Sequence, residues 1–396
     1  MSAPSQTAGA REYLLRLRTL AFAAGAAGAA ASLAGLFLDA DQFFQSYLFA
    51  YVAWAGVPVG ALGFLLLHLL TGGRWGFAIR RFLEAAARSI PVMAILFIPV
   101  IFGMRRLYVW SRPDAVAGDL ALAHKAAYLD PAFWIARTAL YFVIWTVLAY
   151  ASVRLLDRYD GDPASVRPRA FRVLGGLGLA FFGLAATFAS VDWIMSLDPH
   201  WFSTMFGVLT GVGWILSAIA LSIVLGERLL RFPPLSRVFG TDQFNDMGNF
   251  LLTFVMLWAY MSFSQFLIIW SGNIPEEIPW YVHRTGGGWQ MAAVALLAFH
   301  FAVPFLVLLS RAAKRRPNLL AKVALGVFLM RFVDVFWVVK PNFRPEGFAV
   351  HWMDAALPVA LGGIFLGVLF DRLAARPIAP RHDPRVDEEA EEASHG

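Results

Sequence analysis

The stretch FFQSYLFAYVAWAGVPVGALGFLLLHLL, Phe43 to Leu70, contains no Asp, Glu, Lys or Arg, and His68 is its one side chain that titrates near neutrality. A bilayer core of about 30 Å takes about 20 apolar residues in a helix, and this run exceeds that. A helix apolar on every side has no stripe to turn towards water, so it lies in a large core or in lipid. The rest of the chain decides for lipid. Similar runs occupy Thr19 to Leu38, Phe82 to Phe102, Phe133 to Leu155, Val173 to Met195, Trp201 to Leu225, Phe250 to Trp270, Trp289 to Leu309, Leu319 to Val339 and Ala355 to Phe370. The sequence therefore predicts an all-α integral membrane protein of about ten transmembrane helices.

Composition agrees. Of 396 residues, 59% are apolar and 15% charged, with a mean hydropathy of +0.61, where a soluble domain of that size carries about 25% charge. The absence of cysteine excludes disulfides, thiolate-held iron–sulfur clusters, cysteine zinc sites and thiol nucleophiles in this chain. A pI near 9.7 does not point to nucleic acid, because the arginines lie in short loops between apolar runs, where they meet anionic lipid and fix topology. Arg11, Arg16 and Arg18 precede the first run as in a signal peptide. That run is too long for a signal core and ends at Asp39 and Asp41, a poor cleavage site, so it reads as an uncleaved first span. Pro58, Pro91, Pro99, Pro304 and Pro358 fall inside spans, where neighbouring helices can satisfy the backbone groups they free.

Loop charge sets the expected orientation. With the N-terminus inside, the inner segments hold about 23 basic residues against about 7 in the outer ones. Even parity then puts both termini on the cytoplasmic side of a bacterial inner membrane, and residues 1–380 read as one polytopic unit. The outer exception is Met104 to Pro131, with Arg105, Arg106, Arg112 and Lys125 beside Asp114, Asp119 and Asp130, a loop suited to packing on a partner. Residues 381–396, with Asp387, Glu388, Glu389, Glu391 and Glu392, read as a disordered acidic cytoplasmic tail. No repeat of 20 to 50 residues is visible in the sequence.

Ionisable groups inside spans are costly unless paired or turned to a polar cavity. Arg137, Asp192, Arg331 and Asp334 fall in the outer third, and Asp198 and His200 in the short turn after the fifth span. Arg331 and Asp334 are three apart, on one helix face. Two readings stand. Arg331 with Asp334, and Arg137 with Asp192, are ion pairs that hold helices together; or the cluster lines a pocket for a polar head group such as a quinone, for which Arg137, Asp192, Asp198 and His200 are the candidates. A second set on the inner side comprises His68, Glu84, Arg88, Asp242, Asp246 and mid-span His300. Brought together by the helices, this inner set would make the inner half of a proton path. The plainer reading is snorkelling for His68, Glu84 and Arg88 and helix capping for Asp246. A bis-histidine haem fits poorly, since His68 lies at the membrane edge and His300 in mid-span. No metalloprotease, P-loop or serine-elbow motif is present. The turns at Asp192 to Ser203 and around Asn273 to Tyr281 crowd aromatic and polar residues together, as a rigid docking surface would.

Three runs carry a likeness: SVDWIMSLDPHWFSTMFG (Ser190 to Gly207), YMSFSQFLIIWSGNIPEE (Tyr260 to Glu277, with WYVHR after it) and LLSRAAKRRPNLL (Leu308 to Leu320). They closely resemble the ActF-type subunit of alternative complex III, a bacterial quinol:electron acceptor oxidoreductase, and through it the NrfD and polysulphide-reductase membrane subunits. The resemblance spans nearly the whole chain. It implies two four-helix bundles, spans two to five and six to nine, flanked by spans one and ten. It implies as partners a paralogous NrfD-like subunit, an iron–sulfur subunit and haem c subunits on the outer face, with membrane lipid around them. It further implies that this chain holds no redox centre of its own, that the better-supported quinol site lies in the paralogous subunit near the iron–sulfur protein with quinone a possible ligand here too, and that a proton-conducting role is open to this chain, for which Asp192, Arg331, Asp334, His300, Glu84 and His68 are the candidates. Intramembrane ions and broken helices would look much the same in a stand-alone secondary transporter or in a purely structural scaffold, the two competing readings.

Overall fold

The computed structural model describes residues 3–232, 240–380 and 382. Helix is the regular structure throughout the described residues, with no strand among them. Among the described residues nine helices are long and apolar enough to cross a bilayer: α1 (Gly9–Leu38), α2 (Ala40–Thr71), α3 (Trp75–Phe102), α4 (Pro131–Gly161), α5 (Pro168–Leu197), α6 (Phe206–Leu229), α7 (Thr241–Gly272), α8 (Trp289–Leu309) and α10 (Met353–Ala374). Between the last two runs α9 (Pro317–Val339), 23 residues long and so about 34 Å at 1.5 Å per residue. It is as apolar as they are but carries three charges, Lys322, Arg331 and Asp334. It spans because the latter two charges meet each other inside the protein. The chain is a multi-pass membrane protein of about ten helices.

α2 is the axis, almost wholly buried. It packs on α3, α4 and α5 to form one four-helix group, and across the molecule on α6, which packs on α7 and α9 while α8 closes the second group. α1 and α10 lie against each other and dock through α10 onto α2. Their contact is close because small residues meet there: a Cβ on Gly28 would stand 2.7 Å from the Ala360 backbone nitrogen, and one on Gly363 2.4 Å from Gly25. Close approach of small residues is how helices gain packing where the solvent is itself apolar.

Turns set the two ends. Asp39 alone separates α1 from α2 and caps the latter through the Gln42 amide at 2.9 Å, whereas Gly72 and Gly73, at φ 68° and 107°, make the turn into α3 that a side chain would strain. Pro91 and Pro99 break α3 into successive pieces. Pro304 acts differently. It lacks the N–H that the His300 carbonyl would accept four residues back, and the turn before it, Leu296–Ala302, is a π-helix. At the Asp39 end the loop after α3 folds onto its own chain. Tyr108 donates to the Trp193 carbonyl at 2.9 Å, Trp110 to that of Ser196 at 3.1 Å, and Lys125 to that of Pro199 at 2.6 Å. Asp246, read above as a cap, stands inside α7, which starts at Thr241 after Gly240, so the helix begins a turn and a half earlier than that reading placed it. The acidic tail expected over 381–396 lies outside the described residues except for His382.

Candidate functional site

Four helices of the second group splay apart towards the Asp39 end and leave a cavity of about 740 Å³ between α6, α7, α8 and α9. That volume falls within the range of small-molecule sites. Its walls are mostly aromatic and aliphatic, and Tyr260, Phe263, Val294 and Leu297, which line it, also stand exposed on the outer surface of α7 and α8. The mouth therefore opens sideways, where the acyl chains of the bilayer lie.

Arg331 and Asp334 of α9 form the charged part of the wall. They pair with each other, both buried, and the Trp258 indole N–H is turned to the same carboxylate. Arg331 reaches this place over Gly213 of α6, where a Cβ would lie 2.1 Å from its guanidinium. Behind the wall His300, fully buried in the π-helical turn, stands edge-on to Trp258 with ring centroids 4.4 Å apart. Neither of its ring nitrogens bonds to a protein group. Arg331 is close enough to act on it electrostatically. Wide turns of this kind recur at functional sites because they re-aim one side chain without ending the helix. Gly213→Ala displaces the Arg331 guanidinium from its seat, and about 1–3 kcal/mol is the usual loss from such overpacking. A lowered unfolding midpoint in detergent, with Gly211→Ala as a control at an open position, measures it.

At the Asp39 end the cavity is roofed by the short helix Pro279–Thr285. Trp280 stacks on Trp201 with centroids 4.7 Å apart and planes 17° from parallel. Gln265 donates to the Tyr281 hydroxyl at 3.4 Å and accepts from Ser203 at 3.0 Å, tying the roof to the turn after α5. Arg284 locks it further: it lies over the Trp280 ring at 3.8 Å and donates to the Trp280 and Val338 carbonyls at 2.9 and 2.7 Å. Burial pulls the Arg284 pKa down to about 9, so this cation remains charged at neutral pH, held by carbonyl oxygens.

The remaining sequence candidates fall elsewhere. Arg137 and Asp192 make a bidentate pair in the first group, Nε to Oδ2 and Nη2 to Oδ1 both at 2.9 Å. Tyr141 donates to the same carboxylate at 2.7 Å, and Arg137 gives its third donor to the Tyr128 carbonyl at 2.8 Å. Asp192 is closed off by these partners and does not line the cavity. His200 bonds Asp119 at 2.9 Å, half-exposed; Asp198 accepts the Trp201 amide on its carbonyl at 3.2 Å. At the Gly72 end Glu84 bridges Arg80 at 2.9 Å and Arg81 at 2.7 Å, and both arginines also meet Asp160. Arg376, after α10, pairs with Asp157 and approaches Glu84 at 3.6 Å, so the network carries three arginines and three carboxylates. His68 packs against Trp75, centroids 5.2 Å apart. Of the proton-path candidates, the structure thus gathers Arg331, Asp334 and His300 and leaves Asp192, Glu84 and His68 apart from them.

Lys340 and Asp354 are among the buried polar groups that the sequence does not single out. Lys340 donates to Asp354 at 2.8 Å, and Ser46 donates to the same oxygen at 2.6 Å, with Arg344 donating to Gln42 at 2.8 Å beside them. Burial lowers the Lys340 pKa and Asp354 opposes that shift. In sequence both residues look like ordinary headgroup-level charges; their spacing across the loop after α9 carries no sign that they meet. The cavity's Trp258 and Gln265 likewise carry no mark in the sequence that sets them apart from their neighbours. No protein-family model and no curated protein matches this chain.

Proposed function

We propose that this chain is a membrane subunit of a quinol:electron acceptor oxidoreductase complex of the alternative complex III kind, and that its second helix group receives quinol. The observation that carries the reading is the lipid-facing cavity whose wall holds the Arg331–Asp334 pair. A quinol is a flat aromatic head with two hydroxyls on a hydrocarbon tail. Aromatic walls suit the head, the side mouth suits the tail, and a buried carboxylate with an arginine beside it suits the hydroxyls.

Oxidising a quinol to a quinone releases two electrons and two protons. The electrons pass to the iron–sulfur and haem c partners that the sequence resemblance implies, and this chain deals with the protons. Asp334 is placed to accept a hydroxyl proton, Arg331 to hold the carboxylate ready, and His300 to take the proton onward behind the wall. Both termini lie on the cytoplasmic side in this reading, and a paralogous NrfD-like subunit sits alongside. A photoreactive quinone analogue added to the purified complex tests it. Cross-links are expected in Tyr260–Phe266 and Val294–Phe301 and are competed away by unlabelled quinol. Labelling confined to the partner subunits removes the proposed site from this chain.

A further inference from the structure

A second groove lies on the surface of the first helix group, where α4 and α5 part at the Gly72 end, with a volume of about 550 Å³. Its length is apolar: Leu148 of α4 faces Val173, Leu177 and Phe181 of α5, the last three exposed. Its upper rim is Arg167 and Arg169, at the start of α5. Both arginines are exposed, and neither has a carboxylate within ion-pair distance among the described residues. Of the acids in the adjoining segment, Asp160 pairs with Arg80 and Arg81 and Asp157 with Arg376, while Asp162 accepts the Ala164 amide at 3.0 Å. Arg154 and Arg158, both exposed in the last turns of α4, add positive charge at the same end of the molecule.

We infer that the groove holds one anionic phospholipid, its phosphate between Arg167 and Arg169 and an acyl chain along Val173, Leu177 and Phe181. Charge complementarity selects the head group, since a zwitterionic lipid gains nothing net from uncompensated arginines at a membrane surface. The apolar length selects a lipid over free phosphate: a lone anion would leave the lower groove uncovered. Arginine also suits phosphate geometrically, presenting donors in a fixed fork. This site is separate from the cavity of the second helix group and does not depend on its ligand.

Native mass spectrometry of the full chain, released from nanodiscs of phosphatidylglycerol and phosphatidylcholine, measures the lipid retained. Wild type is expected to keep one phosphatidylglycerol through detergent washing, and 10 mM inorganic phosphate is expected not to displace it. Arg167→Gln with Arg169→Gln lowers retention about thirtyfold, each arginine near a membrane surface being worth about a factor of five. Val173→Trp, which fills the groove without touching charge, lowers it as well. Arg311→Gln with Arg316→Gln, at the same end of the molecule, leaves it unchanged. Equal retention by wild type and the arginine pair variant, loss to phosphate alone, or no preference for phosphatidylglycerol overturns the assignment.

Discussion

Asp192→Asn is expected to destabilise the protein by about 3–5 kcal/mol, the usual cost of stranding one partner of a buried ion pair. The residue is fully buried and accepts two bonds from Arg137 and one from Tyr141. An amide can still accept from Tyr141, but one of its two sites becomes a donor facing a guanidinium. Arg137, held over the Tyr128 ring at 3.9 Å, has no second carboxylate in ion-pair reach among the described residues. Removing both charges should recover most of the loss: Arg137→Met with Asp192→Asn is expected within about 1–2 kcal/mol of wild type, since an ion pair taken out as a unit leaves no orphan charge. Unfolding midpoints in one detergent give the cycle. A double variant as weak as the single would mean that the carboxylate holds Tyr141 and the turn after α5 rather than the arginine.

The same pair shows what a sequence can and cannot reveal about such a molecule. Arg137 and Asp192 sit at matching depth on neighbouring spans, and Arg331 and Asp334 sit three residues apart; depth and helical period alone foretell both contacts, and both form. Ten apolar runs foretell the helices, because hydrocarbon admits little else. Pro304 hints at a disturbed helix but not at its kind, since the π-helical turn around His300 depends on how α8 packs on α7 and α9. Asp192 and Asp334 look alike in sequence, two acids near one membrane face. Only the tertiary arrangement separates them, burying one behind three donors and placing the other beside a cavity. A cavity is an absence of packing between helices, and no residue pattern encodes it. Arg284 and Lys340 were missed for a related reason: arginine and lysine at the membrane edge ordinarily snorkel to water, whereas here Val338 of α9 supplies a carbonyl to Arg284 and Asp354 of α10 a carboxylate to Lys340.

Asp334→Asn in the assembled complex is expected to lower quinol turnover about a hundredfold, the scale on which a positioned proton acceptor acts. The fall should appear in kcat more than in KM, because the cavity walls that hold the ring are untouched and the asparagine keeps the shape of the aspartate. Stability must be separated from chemistry, since the substitution also leaves Arg331 without its counter-charge. Asp334→Glu supplies the control by restoring a carboxylate at the same wall, and it should recover a measurable part of the rate. Arg331→Met with Asp334→Asn supplies another by removing the stranded cation, so its thermal midpoint should approach wild type while its turnover stays low. If turnover is unchanged in Asp334→Asn while the complex retains its haem and its subunits, the pair serves only to hold α9 among its neighbours. The cavity would then be a binding place with no part in moving protons, because Asp334 is the one carboxylate among its lining residues.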